Sequence, residues 1–313
     1  MLAPGRGLRR AALRDIAMEH GTGEFAVAAV IGDVQLGTGT TTEQPDRRKT
    51  RVNGAQVPTN DLADWLSLLW LTPAMDRLFI EGASGRRNFL DRLVTALEPS
   101  HARYCNRYDA ARRERNRLLS AEIPPDPQWI DGLDKQLAEF GSAIATARDR
   151  LVKMLNHRLQ ETQDTFFAIP RMVLEDHDLH SETAIFQSLQ SNRSADRQAG
   201  RTLHGPHRTD MRVVHHTKDQ AAEKCSTGEQ KALLFSIVLG HAECIANERA
   251  SRPILLLDEV AAHLDPKRRG MLFDKLAEKG GQVWLTGTEP SLFDAVPNGA
   301  LHFEVANGNL SSR

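Results

Sequence analysis

Two short runs in the C-terminal third carry residue types that could do chemistry together. Ile254-Leu255-Leu256-Leu257 is a block of four aliphatic residues running straight into Asp258 and Glu259. Such a block predicts a parallel strand buried on both faces, with carboxylates at its C-terminal edge, where open α/β sheets take their ligands. A divalent cation and a phosphate fit that edge. Asp258 would hold Mg²⁺, directly or through water, and Glu259 would orient and deprotonate an attacking water. The plain alternative is a core strand whose acids cap the next element. Upstream, Cys225-Ser226-Thr227-Gly228-Glu229-Gln230 opens a predicted helix over about 229–246. Hydroxyls and backbone N–H groups at a helix N-terminus form an anion site. Equally, Ser226 or Thr227 is an ordinary N-cap with Glu229 as its capping partner.

Taken in this order, the two runs resemble the RecF family, relatives of the ABC and SMC ATPase heads. In that resemblance Asp258-Glu259 is the Walker B pair, and Ala262-His263-Leu264-Asp265, followed by Lys267-Arg268-Arg269, is the D-loop with its basic continuation. Two further stretches agree: Pro73, Leu78, Phe79 and Gly82 leading to Arg86-Arg87-Asn88-Phe89-Leu90-Asp91, and Gly205-Pro206-His207-Arg208 with Asp210. The resemblance implies ATP and Mg²⁺ as cofactors, with Asp258 on the metal and Glu259 as base. Ser226, Thr227, Gly228, Glu229 and Gln230 of one subunit, with Asp265 and Thr288, would face the nucleotide. It also implies an ATP-dependent homodimer that clamps duplex DNA or a single-strand gap junction. RecR and RecO would be its partners, and loading of RecA and the SOS response the outcome.

One departure stands out. RecF-like proteins begin with a strand, a G-x-x-x-x-G-K-[ST] phosphate loop and a helix, and this sequence contains no such motif. Pro4 to Arg10 resembles the segment after that first helix. The Gly32 to Gly39 stretch lacks the lysine that meets β- and γ-phosphates and reads as a turn between strands. Two expectations follow: a start lying upstream of Met1, or a nucleotide-incompetent fragment acting only as a DNA- or protein-binding module.

Composition sets the bounds. With 313 residues, 40% of them hydrophobic, the chain buries one large or two modest cores. The 40 basic and 41 acidic residues nearly cancel, so any nucleic-acid contact must come from local patches. Three cysteines, Cys105, Cys225 and Cys244, lack metal-ligand spacing and suit a reducing cytoplasm. His204 and His207 have no partner ligands at zinc spacing. No apolar run reaches the roughly 20 residues that span a membrane.

The elements that must position these residues read as follows. Residues 1–20 form a basic, helix-like opening with Arg6, Arg9, Arg10 and Arg14. Residues 24–58 alternate and contain Asn53-Gly54, predicting an antiparallel sheet with a tight hairpin. Asp61 caps a helix through Trp65, Leu66 and Leu69, and Pro73 marks its exit. One helix is expected from Arg86 to about Ser120. After Pro124-Pro125-Asp126-Pro127, Leu133, Leu137, Phe140, Ile144, Ala147, Leu151 and Met154 form an a/d seam. The pair reads as a short antiparallel coiled-coil arm or as part of a compact helical lobe. Arg103, Arg107, Arg112, Arg113, Arg115 and Arg117 on the first helix either follow a DNA backbone or form a solvated face. Phe166 to Ile169 and Val173-Leu174 read as extended, 182–200 as helix, and Val213-Val214 as the start of a strand. Gln282 to Thr288 reads as a buried strand ending in hydroxyls, with Thr286 or Thr288 in the family's switch position. Leu301 to Val305 with Asn307-Gly308-Asn309 reads as a last hairpin. The expected architecture is α/β: an ABC/SMC-type head, incomplete at its N-terminus, with an inserted helical, coiled-coil-like lobe. Its segments would be 1–85 (first part of the head with its β layer), 86–165 (arm) and 166–313 (signature, Walker B and D-loop).

Overall fold

The computed structural model describes residues 1–5, 7–9, 11–123, 126–161, 168–175 and 180–312. Arg6, Arg10, Pro124, Pro125, Phe166 and Phe167, on which some sequence expectations fall, lie outside the described residues. The chain opens with an antiparallel meander: β1 (Ala26–Ile31), β2 (Val34–Thr41), β3 (Gln44–Val52) and β4 (Ala55–Gln56). Asn53 and Gly54 both take positive φ, 49° and 82°, as a two-residue hairpin turn requires. Gly39 sits at a register shift where a Cβ would meet the Phe25 carbonyl oxygen at 2.2 Å, so only glycine fits. The basic opening does not form the expected helix. A single 3-10 turn spans Leu13–Ile16, and the first residues are tied to the sheet by Arg48, which donates to the carbonyl oxygens of Met1, Ala3 and Gly5. Burial lowers the Arg48 pKa to about 10.

A one-turn helix α1 (Leu62–Trp65) follows, and here the sequence reading fails. Leu66 turns to extended backbone and Leu68–Leu71 becomes β5, while Asp61 caps nothing and accepts instead from Arg103 at 3.3 Å. The expected helix from Arg86 is two: α2 (Ala83–Leu97) and α3 (Ser100–Leu119), separated at Glu98-Pro99. Proline ends a helix here because the residue before it is pushed out of the helical region. Helix α4 (Pro127–Glu161) runs back along α3 and on into the head. The predicted seam is buried from Leu133 to Leu151, with Met154 packed at its end. It serves two cores. Leu133, Leu137, Phe140 and Ile144 pack with Tyr108, Ala111 and Leu118 in the arm, whereas Ala147, Leu151 and Leu155 join the large core of the head.

After β6 (Pro170–Glu175), helix α5 (Glu182–Ser191) covers the arm through Ile185 and Leu189, and α6 (Arg193–Ala199) joins it through Asp196, which accepts from Arg115, making it a helical lobe rather than a bare two-helix coil. Strands β6, β7 (Asp210–His215) and β8 (Gln220–Ala221) form a second antiparallel sheet. Helix α7 (Thr227–Arg249) is buried through Leu233, Leu234, Ile237, Val238 and Ile245, and Arg249 closes its end by donating to the carbonyls of Ala63, Asp64 and Ala96. Then come β9 (Ile254–Leu257), α8 (Pro266–Lys279), β10 (Val283–Leu285) and a closing hairpin of β11 (Phe303–Ala306) and β12 (Asn309–Ser312). Strands β5, β9 and β10 make a parallel sheet in the order β10-β9-β5. Strand β10 is shorter and more open than its sequence suggests: Trp284 is 49% exposed and stacks on Phe303 of the hairpin. Among the described residues, no helix is long and apolar enough to cross a membrane.

Candidate functional site

The mouth of the parallel sheet is built by β9 and its two neighbours. Leu255 and Leu257 are buried, and the Asp258 N–H donates to the Leu71 carbonyl at 2.9 Å, extending the pairing with β5 by one residue. This bond holds Asp258 at the carboxyl edge. Its side chain is only 16% exposed. The Thr286 hydroxyl, just past β10, donates to Asp258 Oδ1 at 2.7 Å and accepts from the Glu259 N–H at 3.1 Å. Glu259 takes a left-handed φ of 55°, uncommon for a residue with a side chain. Its carboxylate is exposed at the mouth. A cleft of about 20 Å³ lies there, bounded by Asp258, Glu259, Asp76 and Lys231, and Lys231 pairs with Asp76 at 2.9 Å.

The donor set suits a hard divalent cation. Among the described residues, Asp258 Oδ2 meets only the 77% exposed Arg9, at 3.4 Å, and the neighbouring groups at the mouth, the Thr286 hydroxyl and the Glu259 carboxylate, offer oxygen. Magnesium takes one or two carboxylates and keeps several waters. A triphosphate finds no such fit in this chain alone: no Gly-x-x-x-x-Gly-Lys cradle exists in the sequence, and Lys231 is already engaged by Asp76.

The Ser226 corner is built as a capping box. Ser226 accepts from the Glu229 N–H, and Glu229 accepts from the Ser226 N–H at 2.9 Å. The Lys218 ammonium, then the Ser226 bonds, pull the Glu229 pKa down to about 2. Helix α7 therefore starts at Thr227, two residues earlier than expected. Gln230 is buried, its amide donating to the Cys225 carbonyl at 2.9 Å while its own Oε1 is unpartnered. Thr227 and Gly228 are exposed. Asp265 caps α8 by accepting from the Arg268 N–H at 2.9 Å. Thr288 is exposed, and the hydroxyl beside Asp258 belongs to Thr286. Sequence reasoning did not assign Lys231, one residue past the signature, to the mouth.

A second constellation joins the other two motif stretches. Arg86 pairs with Asp210 through two bonds of 2.9 and 2.7 Å, and Arg148 grips Asp91 with two bonds of 2.8 Å. His101 Nε2 donates to Asp91 Oδ1 at 2.8 Å. Asp91 is held far below the usual carboxylate range: burial opposes this, but Arg148 and His101 outweigh it. Asp91, His101 and Cys105 are the one set of ligand-type groups drawn together among the described residues. The guanidinium on both Asp91 oxygens makes this an ion-pair network, and burial pushes the Cys105 thiol up. The Gly205 motif locks onto the same network. Pro206 offers its carbonyl to Arg148 at 2.6 Å, and His207 lies between the Tyr108 hydroxyl at 2.8 Å and the Thr202 carbonyl at 3.0 Å. Burial lowers the His207 pKa to about 4.

The six arm arginines separate. Arg115 is fully buried, bonded to Asp134 and Asp196 at 2.6 Å each, so it is a structural ion pair and no DNA contact. Arg103 reaches Asp61, Arg112 pairs with Asp109 and Arg117 with Glu114, while Arg107 lies 5.6 Å from the Phe140 ring. Arg113 is exposed.

Comparison with known proteins bears on the family and the fold. No protein-family model matches the chain. The DNA replication and repair protein RecF of Rhizobium leguminosarum bv. trifolii is 45% identical over 99% of the chain and 87% of its own length. The chain belongs to the RecF family. The RecF of Brucella suis biovar 1 is 43% identical, again over 99% of this chain and 84% of its own length. Among solved structures, the recombination mediator protein RecF-ATPrS in the RecFOR pathway superposes with a TM-score of 0.81 at 20% identity, over 99% of this chain and 86% of that one. A RecF-ATP structure of the same pathway gives 0.74 at 21% identity. The α/β head with an inserted helical lobe is therefore the RecF fold.

Proposed function

We propose that this RecF-family chain acts in DNA replication and repair as one head of an ATP-dependent dimeric clamp on duplex DNA or single-strand gaps. RecO and RecR would be its partners, and RecA loading in the cytoplasm, with the SOS response, its outcome. The names of the relatives support the repair role, and the RecF-ATP structures support the nucleotide. The observation that carries the reading is the parallel strand β9 presenting Asp258 and Glu259 beside the Thr286 hydroxyl. A bound magnesium nucleotide would supply the phosphate that is cleaved. Asp258, held by β5 and Thr286, offers one oxygen toward the metal, and Glu259 projects from its left-handed turn to take a proton from water. Ser226 to Gln230, Asp265 and Thr288 would face the nucleotide of the other head. On the arm, Arg107, Arg112, Arg113 and Arg117 remain the candidates for DNA contact.

A second reading has its own support. The sequence holds no phosphate loop, and the Ser226 corner closes on itself. On that reading the 313 residues alone are a nucleotide-incompetent binding module. One experiment separates the two. The chain is assayed alone and fused behind a strand–loop–helix segment carrying G-x-x-x-x-G-K-[ST]. The clamp reading expects ATP turnover only in the fusion, and Glu259→Gln then slows it about 100-fold or more while ATP binding and dimerisation persist. Turnover unchanged by Glu259→Gln refutes Glu259 as base, and a fusion that binds no ATP favours the module.

A further inference from the structure

A cavity of about 350 Å³ opens where the head meets the arm, between α2, α3, α4 and the 200–208 loop. Five guanidinium groups line it, those of Arg87, Arg112, Arg148, Arg201 and Arg208, against only two carboxylates, Asp91 and Asp109. Both carboxylates are engaged. Asp91 is held by Arg148 and His101, and Asp109 accepts from Arg112 at 3.0 Å. His207, whose pKa burial brings to about 4, is neutral at pH 7 and adds no charge. Three cations are left over. Arg87 is half-buried with a single long bond, 3.4 Å, to the Thr209 carbonyl, and Arg201 and Arg208 make no side-chain bond or ion pair with the described residues. Burial is the main cause that lowers the Arg87 pKa; Asp210 and Asp91 oppose it, while the neighbouring Arg148 and Arg208 add to it.

The loop that holds two of these cations is fixed. Thr202 binds Asn116 through its N–H and its hydroxyl, at 2.9 and 2.7 Å, and Pro206 and His207 are tied to Arg148 and Tyr108. A tied-down loop presenting guanidinium groups that have no partner among the described residues into a concave space suits planar, bidentate recognition of phosphate. An apolar or cationic occupant would leave those charges uncompensated.

We propose that this head–arm cleft binds a phosphate group through Arg87, Arg201 and Arg208, at a site separate from the Asp258 mouth. The phosphate belongs either to a nucleic-acid backbone or to a free phosphate species, and only the first of these rests on the DNA role proposed above. The full chain and its Arg201→Gln/Arg208→Gln variant are compared in two assays. In the first, binding of a short mixed-sequence duplex is followed by fluorescence anisotropy from about 50 to 300 mM sodium chloride. Removing two phosphate contacts makes the log–log salt slope shallower by about 2 and weakens low-salt affinity roughly tenfold. In the second, melting is followed with inorganic phosphate against chloride at equal ionic strength.

A shallower slope in the variant assigns the cleft to the nucleic-acid backbone. A melting rise with phosphate that the variant loses, without any change in DNA binding, assigns it to a free phosphate species. If neither DNA slope nor phosphate response differs between variant and parent, the proposal is overturned. A parent that binds no DNA at all refutes the DNA role, and the phosphate assay then decides the cleft by itself.

Discussion

Replacing Arg115 by Met is the sharpest test of how the arm is held together. The guanidinium is fully buried and donates to Asp134 and Asp196 at 2.6 Å, to the Thr202 hydroxyl at 3.0 Å and to the Leu189 carbonyl at 3.0 Å. Arg115→Met removes all four bonds at once. Asp134 then keeps only Arg193, and Asp196 keeps the Leu203 N–H at 2.9 Å. Breaking a buried ion pair by removing one partner costs about 3–5 kcal/mol, because the other charge stays buried. Arg193 still holds Asp134, so Asp196 is the carboxylate left without a cation, which puts the loss within that range, about 3–5 kcal/mol. Against a total stability of about 5–15 kcal/mol, the variant is close to unfolding or past it. Urea unfolding followed by circular dichroism reads this directly. A double-mutant cycle with Asp196→Asn isolates the pair, and the double variant should lose less than the sum of the singles by about 1–3 kcal/mol. A loss below about 1 kcal/mol for Arg115→Met, or an additive cycle, would show that Arg115 is no linchpin of the arm.

Gly205→Ala should destabilise the chain by roughly 2–5 kcal/mol, since φ is 131° and a Cβ would sit 2.5 Å from the Tyr108 hydroxyl. Adding Tyr108→Phe removes the clashing oxygen, so the denaturant midpoint should partly recover; no recovery would place the cost in the backbone alone. Acid should weaken the fold above the carboxylate range. His207 and His241 titrate near pH 4 when folded, both chiefly through burial, and near 6.5 when unfolded. Between those values the unfolded chain binds more protons, so their contribution is complete above about pH 6.5 and is lost as pH falls toward 4. Each histidine accounts for on the order of 2–3 kcal/mol across that window. The urea midpoint should therefore drop from pH 7 to about pH 4.5 and drop less in His207→Gln; a flat midpoint over this range contradicts the buried neutral state of both rings.

Local pattern was enough for several elements. Ile254 to Leu257 could be read as a buried strand ending in acids because both its faces are apolar, and Asn53-Gly54 marked its hairpin because two consecutive positive φ values suit few other pairs. The α4 seam was visible for the same reason: its period is carried by the chain itself. Strand β5 was not, because Leu66 and Leu69 also match a helical spacing, and what makes Leu68–Leu71 extended is pairing with β9 far along the chain. Thr286 and Thr288 are indistinguishable as letters, and the parallel register of β10 on β9 selects Thr286.

The arginines show where such reading stops. Arg113 and Arg115 stand two apart in one basic run, yet one is exposed and the other fully buried between two aspartates from α4 and α6. In the same way, the Arg86–Asp91 and Gly205–Asp210 stretches look like separate landmarks until Arg86 meets Asp210 and Arg148 meets Asp91. Residue type and spacing set which strands and helices can form and which groups are able to bind metal or phosphate. Which charges neutralise one another, and which are left facing an open cleft, depends on contacts between distant segments that no local period encodes.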